Sequence, residues 1–212
     1  MVIAIDGPAG AGKSTVAKGV ASALGFTYLD SGAMYRAVAL AALEGGIDPE
    51  DGERLAELAW DLDIDFQGDT IHLGGVPVEG RIRTPEVTVA ASRVSVHPQV
   101  RQALVKRQRE LIATGDYVAE GRDIGTVVSP DSPLKVFLTA DETERARRRA
   151  ADSGEPVEEV RKAIEDRDRR DQERADSPLR QAEGAIHIDT TDLSQDEVVA
   201  EIASLARERG VA

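Results

Sequence analysis

Eight residues near the start of the chain combine glycine, lysine and serine at a spacing that suits phosphate binding. The segment reads Gly7-Pro8-Ala9-Gly10-Ala11-Gly12-Lys13-Ser14, which fits the pattern G-x-x-x-x-G-K-[ST] at every fixed position. Glycines let consecutive backbone N–H groups approach a phosphate, and the positive end of a following helix strengthens the attraction. This pattern predicts a nucleoside triphosphate site, with Lys13 reaching the β- and γ-phosphates and the Ser14 hydroxyl binding Mg²⁺.

The context of this loop favours a ligand over a plain glycine-rich turn, which is the alternative. A short apolar run, Val2 to Ile5, precedes the loop, and a helical pattern from Lys13 to Leu24 follows it. The loop alone does not separate a switch, a motor and a kinase. However, a guanine-reading NKxD sequence is absent, and 212 residues leave little room for the machinery of a motor ATPase. A small phosphotransferase is therefore the expected class.

Polar residues that follow two further apolar runs are candidates for the second substrate. Asp30 and Ser31 follow one run, with Arg36 one turn or more into the next helix, and Arg122 and Asp123 follow another. In parallel sheets, ligands bind beyond the carboxyl ends of the strands, which is where these residues are expected. The alternatives are a helix N-cap with a surface arginine in the first case, and an ordinary turn with a local ion pair in the second.

A third candidate region is rich in both signs of charge. Residues 145–180 contain 11 basic and 10 acidic side chains in a protein whose formal net charge is −13. Arg167, Asp171 and Arg174 are spaced i, i+4, i+7, so the pattern predicts that they share one helix face. Two arginines beside a carboxylate suit a lid that closes on a transferring phosphate. The alternative is a solvated helix with salt bridges along its surface.

The elements that must position these residues alternate between strand and helix. Short apolar runs followed by helical patterns predict an α/β, three-layer P-loop fold, with a central parallel sheet of about five strands and helices on both faces. Asp63 to Arg83 predicts a small antiparallel insertion. We expect one domain, 1–212, with three parts. These are a core (about 1–30, 86–148 and 177–212), an acceptor region (about 31–85) and a helical lid (about 149–176) that has little apolar face and is loosely packed.

Composition excludes several classes of protein. Hydrophobic residues make up 41% and charged residues 31% of the chain, as in a globular protein. The strongly negative charge argues against nucleic acid polymers and anionic membranes as main partners. The absence of Cys excludes disulfides and thiolate chemistry, and the first apolar run is too short for a signal peptide. We expect a cytoplasmic monomer.

Taken together, these motifs resemble those of bacterial-type cytidylate kinases. The resemblance extends in order from Ile3 to Ile188 and rests on DGPAGAGKST, LDSGAMYR, IRTPEV, ASRVSVHPQVRQALVKRQR, EGRDIGTVV and RDRRDQERADSPL. It implies transfer of the γ-phosphate of ATP to CMP, and also to dCMP, with Mg²⁺ required. Other small P-loop kinases, such as adenylate or shikimate kinase, and a regulator that binds ATP without transferring phosphate, are the competing hypotheses.

The resemblance also implies roles for individual residues. ATP would contact the loop from Gly7 to Thr15 and, near adenine, Arg148. Arg36 and Arg122 would hold the acceptor phosphate, with Asp30 and Ser31 nearby. The cytosine base would be read by Ser92, Arg101 and Asp123, and the ribose and phosphates would be contacted from the lid by Arg167, Asp171 and Arg174. By residue type alone, Ser92 is an ordinary helix residue and Arg101 a surface cation. Glu120 stands where some members have Asp, and its role is open.

Overall fold

The computed structural model describes residues 1–211, and all of their side chains except that of Asp152. Within these residues, eight strands and eight α-helices follow one another, with a 3₁₀ turn at Arg81–Arg83 and a π-helical turn at Ile124–Val128. The strands are β1 Val2–Asp6, β2 Thr27–Asp30, β3 Ile64–Gln67, β4 Thr70–Leu73, β5 Val76–Pro77, β6 Tyr117–Gly121, β7 Leu134–Thr139 and β8 Ile186–Asp189. The helices are α1 Lys13–Leu24, α2 Ser31–Glu44, α3 Gly52–Asp61, α4 Pro85–Val94, α5 Pro98–Ile112, α6 Glu142–Ser153, α7 Val157–Glu173 and α8 Gln195–Glu208.

The described chain forms two compact units. The first contains Met1–Leu29 and residues 115–211, and the second is the continuous segment Asp30–Thr114. The predicted acceptor region ended at about residue 85, whereas the second unit extends to Thr114. The reason is that α4 packs against α2, and α5 packs against α3, so both later helices belong to this unit.

The first unit is built on the predicted parallel sheet, which is confirmed. Its five strands lie in the order β2-β6-β1-β7-β8. The central strand β1 pairs in parallel with β6 and β7, so that Ile3 lies opposite Val118 on one side and Leu134 on the other. Apolar side chains of these strands form one buried cluster with α1 and α8. The central strand β1 lacks polar alternation because it is buried along nearly its whole length, as expected for a sheet of this kind.

The strand that leaves the first unit runs beside the strand that returns to it. β2 neighbours β6 at one end of the sheet, and the backbone N–H of Thr27 donates to the carbonyl of Asp116 at 2.9 Å. The chain passes into the second unit after Leu29 and returns at Gly115. The points of departure and return are therefore joined by backbone hydrogen bonding within the first unit.

The second unit contains the predicted antiparallel insertion, which is also confirmed. β3 and β4 pair antiparallel with Ile64 opposite Leu73, and β5 adds a short third strand. The turns fall at Gly68 and Gly74–Gly75, all with positive φ, which glycine adopts at little cost. Among the described residues of the whole chain, the helices are too short or too polar to cross a bilayer.

The expected lid is helical but divided into α6 and α7. α6 ends at Ser153 and is closed by Gly154, whose φ is 73°, and Pro156 is the N-cap of α7. The expectation of loose packing is wrong for one face of α7, because Val160, Ile164, Asp168 and Asp171 are buried. Two of these four residues are charged, so the sequence pattern of apolar residues missed half of the buried face.

Candidate active site

The glycine-rich loop adopts the conformation that its sequence predicts. It joins β1 to α1, and Gly7 has a φ of 155°. A Cβ atom at Gly7 would lie 2.1 Å from the carbonyl oxygen of Leu138, so only glycine fits between the loop and β7. Lys13 begins α1 and is buried, and its ammonium group donates to the carbonyl of Pro8 at 2.6 Å. The loop is thus closed on itself by the lysine side chain.

The ammonium group of Lys13 is buried near two arginines and two carboxylates. Burial, together with the charges of Arg122 and Arg167, lowers the pKa of Lys13 to about 7, although Glu120 and Asp168 oppose the shift. An anion bound in the loop would offset this repulsion, because it brings the opposite charge into a site with little water. The electrostatics therefore suit a phosphate ligand better than an empty turn.

The residues around Ser14 suit Mg²⁺ held mainly through a substrate. Ser14 and Thr15 begin α1 with exposed side chains. Among the described residues, no group of three His, Asp or Glu side chains is arranged to hold a metal ion. Mg²⁺ usually takes one or two protein ligands and completes its shell with phosphate oxygens and water. The donor set therefore fits a metal that arrives with the nucleotide.

A cavity of about 270 Å³ opens beside the glycine-rich loop, in the first unit. Arg148 lines it together with Gly12, Thr190 and Leu193. The guanidinium of Arg148 is held on three sides: it donates to Glu144 at 2.8 Å, to the hydroxyl of Thr190 at 3.0 Å and to the Thr190 carbonyl at 2.7 Å. These hydrogen bonds hold the Arg148 side chain at the cavity wall.

Three arginines of the first unit surround the carboxylate of Asp171. The Arg122 Nε atom donates to Asp171 at 2.9 Å, and an Arg174 nitrogen lies 3.9 Å from it. Burial alone would raise the pKa of Asp171, but Arg122, Arg167 and Arg174 together lower it. The predicted grouping is thus present, with one difference. Arg174 lies beyond the last residue of α7 with extended backbone (ψ 138°), so it does not share a helix face with Arg167 and Asp171.

Asp123 is tied to the same cluster. It is buried just after β6, and an Arg174 nitrogen lies 3.7 Å from its carboxylate. The following turn is held by Asp6, whose carboxylate accepts from the backbone N–H of Ile124 at 2.9 Å and of Gly125 at 2.7 Å. Burial raises the pKa of Asp6 to about 6, although these two hydrogen bonds lower it.

Asp6 lies beside the candidate site, but the sequence interpretation passed over it. It ends β1 immediately before Gly7, and its contact with Ile124 spans 118 residues. Its position at the end of a buried strand was the one available signal, but nothing in the local pattern showed the contact. Tyr28 was missed in the same way: its hydroxyl donates to Glu120 at 2.8 Å and fixes a carboxylate whose role was open.

In the second unit, Asp30 is the helix N-cap that the sequence left as one alternative, and it also pairs with Arg36. Its carboxylate caps α2 by accepting from the N–H of Ala33 at 2.8 Å, and it accepts from Arg36 at 2.7 Å. The Arg36 side chain is only 13% exposed, so it is not a surface cation. Arg83, from the 3₁₀ turn, lies 3.5 Å from the same carboxylate. Ser31, the first residue of α2, is buried beside them.

Ser92 and Arg101 are both buried in the second unit. Ser92 lies on α4, and Arg101 on α5 is 1% exposed, which contradicts the surface interpretation of this arginine. The guanidinium carbon of Arg101 lies 5.5 Å from the centre of the Tyr35 ring, within the range of a cation–π contact. A charge is rarely buried so completely without a structural or ligand-binding purpose.

The comparisons with known proteins agree with the sequence motifs. A protein-family model described as cytidylate kinase matches residues 3–208 of this chain. The chain belongs to the cytidylate kinase family. A cytidylate kinase of Solibacter usitatus is 50% identical over 99% of this chain and 93% of its own length. One from Exiguobacterium sibiricum is 51% identical over 96% of both chains. The solved gluconokinase of Sinorhizobium meliloti, at 16% identity and a TM-score of 0.54, covers 99% of this chain and 93% of its own and shares the fold alone.

The predicted substrate residues are distributed over both units. The loop, Arg122, Asp123, Arg148 and the lid residues belong to the first unit, and Asp30, Ser31, Arg36, Ser92 and Arg101 belong to the second. In the first unit Asp171 contacts Arg122 and Arg174, and in the second unit Asp30 contacts Arg36. The family membership and this grouping together identify the residues whose substitution tests the function.

Proposed function

We propose that this protein transfers the γ-phosphate of ATP to CMP, and also to dCMP, giving ADP and CDP or dCDP. The observation that carries the proposal is the set of cations in the first unit. Lys13 is buried in the glycine-rich loop, and Arg122, Arg167 and Arg174 share one carboxylate. Membership of the cytidylate kinase family supports the choice of acceptor.

ATP would bind along the first unit. The loop from Gly7 to Thr15 would hold the phosphates, and adenine would enter the cavity beside Arg148. Mg²⁺ would be held by Ser14 and the phosphate oxygens, and when bound it supplies further neutralisation of the phosphate charge. Lys13 would exchange its bond to the Pro8 carbonyl for a phosphate oxygen.

Membership of the cytidylate kinase family also suggests how CMP would be bound. We assign its phosphate to Arg36 and Arg122, with Asp30 and Ser31 orienting them, and its base to Ser92, Arg101 and Asp123. The Asp123 carboxylate would accept from the exocyclic amine of cytosine, while Arg101 and Ser92 donate to the ring. Uracil presents a carbonyl in place of that amine, which leaves buried polar groups without partners and disfavours UMP. Arg167, Asp171 and Arg174 would contact ribose and phosphates.

The reaction requires positioning and charge neutralisation rather than a strong base. An oxygen of the CMP phosphate attacks the γ-phosphorus of ATP in line, and the bond from that phosphorus to the bridging oxygen of ADP breaks. The attacking oxygen is already an oxyanion at neutral pH, so no proton must be removed. Lys13 and the arginines hold the two anions together and stabilise the charge on the transferring group.

A coupled assay of ADP release tests this function. The enzyme is incubated with ATP and Mg²⁺ plus CMP, dCMP, UMP, AMP, GMP or shikimate, and Lys13→Met serves as the inactive control. We expect release that depends on CMP and dCMP, with weaker use of UMP. ADP release that depends on AMP or shikimate instead, or ATP binding with no acceptor-dependent release, would contradict the proposal.

The same panel tests how the base is read. In Asp123→Ala, the ratio of kcat/KM for CMP to that for UMP should fall, because the group that discriminates the amine from the carbonyl is removed. An unchanged ratio refutes base reading by Asp123.

The cytoplasmic location and the monomeric state belong to this proposal as predictions. Size-exclusion chromatography with light scattering tests the monomeric state.

A further inference from the structure

Ala9, in the middle of the glycine-rich loop, is hydrogen-bonded to the lid helices through both its backbone N–H and its backbone carbonyl. Its N–H donates to the carboxylate of Asp168 on α7 at 3.0 Å. Its carbonyl accepts from the guanidinium of Arg145 on α6 at 2.9 Å. Arg145 and Asp168 are also hydrogen-bonded to each other. One backbone unit of the loop and two charged side chains therefore form a closed triangle of hydrogen bonds.

This triangle is largely buried. Arg145 and Asp168 pair directly with each other and with the Ala9 backbone, and Asp168 also lies within electrostatic range of Lys13 and Arg122. Breaking one side of such a buried arrangement leaves an uncompensated charge, which costs far more than the loss of a surface ion pair. The three groups therefore hold one another in a defined geometry.

The apolar contacts around Ala9 reinforce the same connection. Its methyl group packs in a small buried cluster with Ala150 of α6 and with Val160 and Ile164 of α7. Next to it, Gly10 has a φ of 76°, and a Cβ atom there would lie 3.0 Å from the backbone oxygen of Arg145. α6 is thus in direct contact with the loop, and the loop is shaped to receive it.

Asp168 also lies close, along α7, to Asp171 and the three arginines around it, Arg122, Arg167 and Arg174. Asp168 and Asp171 are three residues apart on α7, so their side chains point to the same side of the helix. Asp168 binds the loop, whereas Asp171 accepts from Arg122 at 2.9 Å. A single helical turn therefore links the loop that we assign to ATP with the arginine that we assign to the acceptor phosphate.

We propose that Asp168 is a positioning residue for phosphoryl transfer. Through the Ala9 peptide and Arg145, it sets the place of α7 relative to the glycine-rich loop, and so the place of Asp171 and its arginines relative to the γ-phosphate. This inference rests on the proposed function. Asp168 contributes no atom to the reaction, so its loss should affect the alignment of the two substrates more than the binding of either one.

The test compares Asp168→Asn with Asp166→Asn on the same helix. In the first variant, the amide that replaces the carboxylate cannot accept from both the Ala9 N–H and Arg145, and it turns a donor toward one of them. Asp166 is 37% exposed and pairs with Arg169 at 2.6 Å, so its substitution removes the same charge without touching the loop. For both variants, kcat and KM are measured with ATP and CMP at 25 °C, and the Kd of a non-hydrolysable ATP analogue is measured by calorimetry without CMP.

We expect kcat of D168N to fall at least tenfold while the Kd of the analogue changes less than threefold, and both values of D166N to stay within twofold of wild type. A fall of less than tenfold overturns the proposal. So does a loss of analogue affinity as large as the loss of kcat, because Asp168 would then only shape the ATP site. Thermal unfolding confirms that each variant is folded at the assay temperature.

Arg145→Lys provides a second route to the same answer if D168N does not fold. Lysine keeps the charge but lacks the planar guanidinium that donates to the Ala9 carbonyl and to Asp168 at the same time. We therefore expect a fall in kcat with little change in the Kd of the analogue. Unchanged kcat in R145K overturns the proposal. A wild-type protein without CMP-dependent ADP release would refute the proposed function instead, so the two failures are distinguishable.

Discussion

Two buried carboxylates, Asp30 in the second unit and Asp171 in the first, each gather arginines around them. In both cases burial alone would raise the pKa of the carboxyl group, and the neighbouring guanidinium groups lower it. The two sites differ in how they are assembled. Asp30 caps its own helix and pairs with Arg36 six residues later. Asp171 pairs with Arg122, which is 49 residues away.

This difference separates a local arrangement from one that the fold must create. The Asp30 site is largely complete once α2 has formed, because the cap and the first arginine belong to one segment. The Asp171 site exists only when α7 lies against the end of β6. We therefore expect substitutions at the first site to affect mainly stability and acceptor binding, and substitutions at the second to affect mainly turnover.

The largest effect should follow from breaking the long-range site. Arg122→Gln removes the charge that contacts Asp171 and that we assign to the acceptor phosphate, next to the group that is transferred. Turnover should fall by about 10² to 10³-fold, which is typical when one donor to developing charge is lost. The measurement is kcat in the coupled assay, with Arg169→Gln, an exposed lid arginine, as the control. A loss below tenfold would show that Arg122 is not part of the transfer site.

Breaking the local site should have an intermediate effect, seen in stability. Asp30→Asn removes a buried ion pair and weakens a helix cap, so the free energy of unfolding at pH 7 should fall by about 2 kcal/mol. Because the folded-state pKa of Asp30 lies below its unfolded value, the wild type holds this advantage above pH ~4 and loses it as the pH falls further. Urea unfolding of both proteins between pH 7 and pH 3 checks this. A gap that stays constant down to pH 3 would contradict the ion pair as its source.

The smallest effect sharpens the comparison within the Asp30 site itself. Arg83 is 46% exposed, lies 3.5 Å from Asp30 and also pairs with Glu79, whereas Arg36 is 2.7 Å away and mostly buried. Arg83→Gln should change the free energy of unfolding by less than about 0.5 kcal/mol, as is usual for exposed pairs. The KM for CMP should rise less than threefold, against at least tenfold in Arg36→Gln. Equal effects of the two substitutions would mean that the exposed fraction of each arginine does not determine how much it contributes to stability and to CMP binding.

The parts of the site that are formed by one segment of the chain could be predicted from the sequence, whereas the parts formed by distant segments could not. The glycine-rich loop is one contiguous segment whose chemistry is carried by its own backbone, so its position between β1 and α1 was predictable. The parallel sheet and the antiparallel insertion were predictable for the same reason, because short periodic patterns encode them. The Asp30 cap and its arginine were also within reach, since both belong to LDSGAMYR.

The rest depended on contacts between distant segments. Ala9 and Asp168 are 159 residues apart, and no periodicity in either segment indicates the other. Arg101 has the residue type of a surface cation, yet packing of α5 buries it against Tyr35. Arg174 continues the i, i+4, i+7 spacing in the sequence, but the helix ends one residue earlier. In each case tertiary packing, which one sequence does not encode locally, decided the outcome.

The hydrogen bond between Thr27 and Asp116 has a consequence for how such a protein can change over time. Since the chain departs from and rejoins its sheet through adjacent strands, the intervening 30–114 stretch behaves topologically as an insertion with neighbouring ends. Lengthening, shortening or replacing that stretch leaves the order of the parallel strands intact. Residues 30–114 could thus diverge in length and sequence during evolution while the parallel sheet is retained.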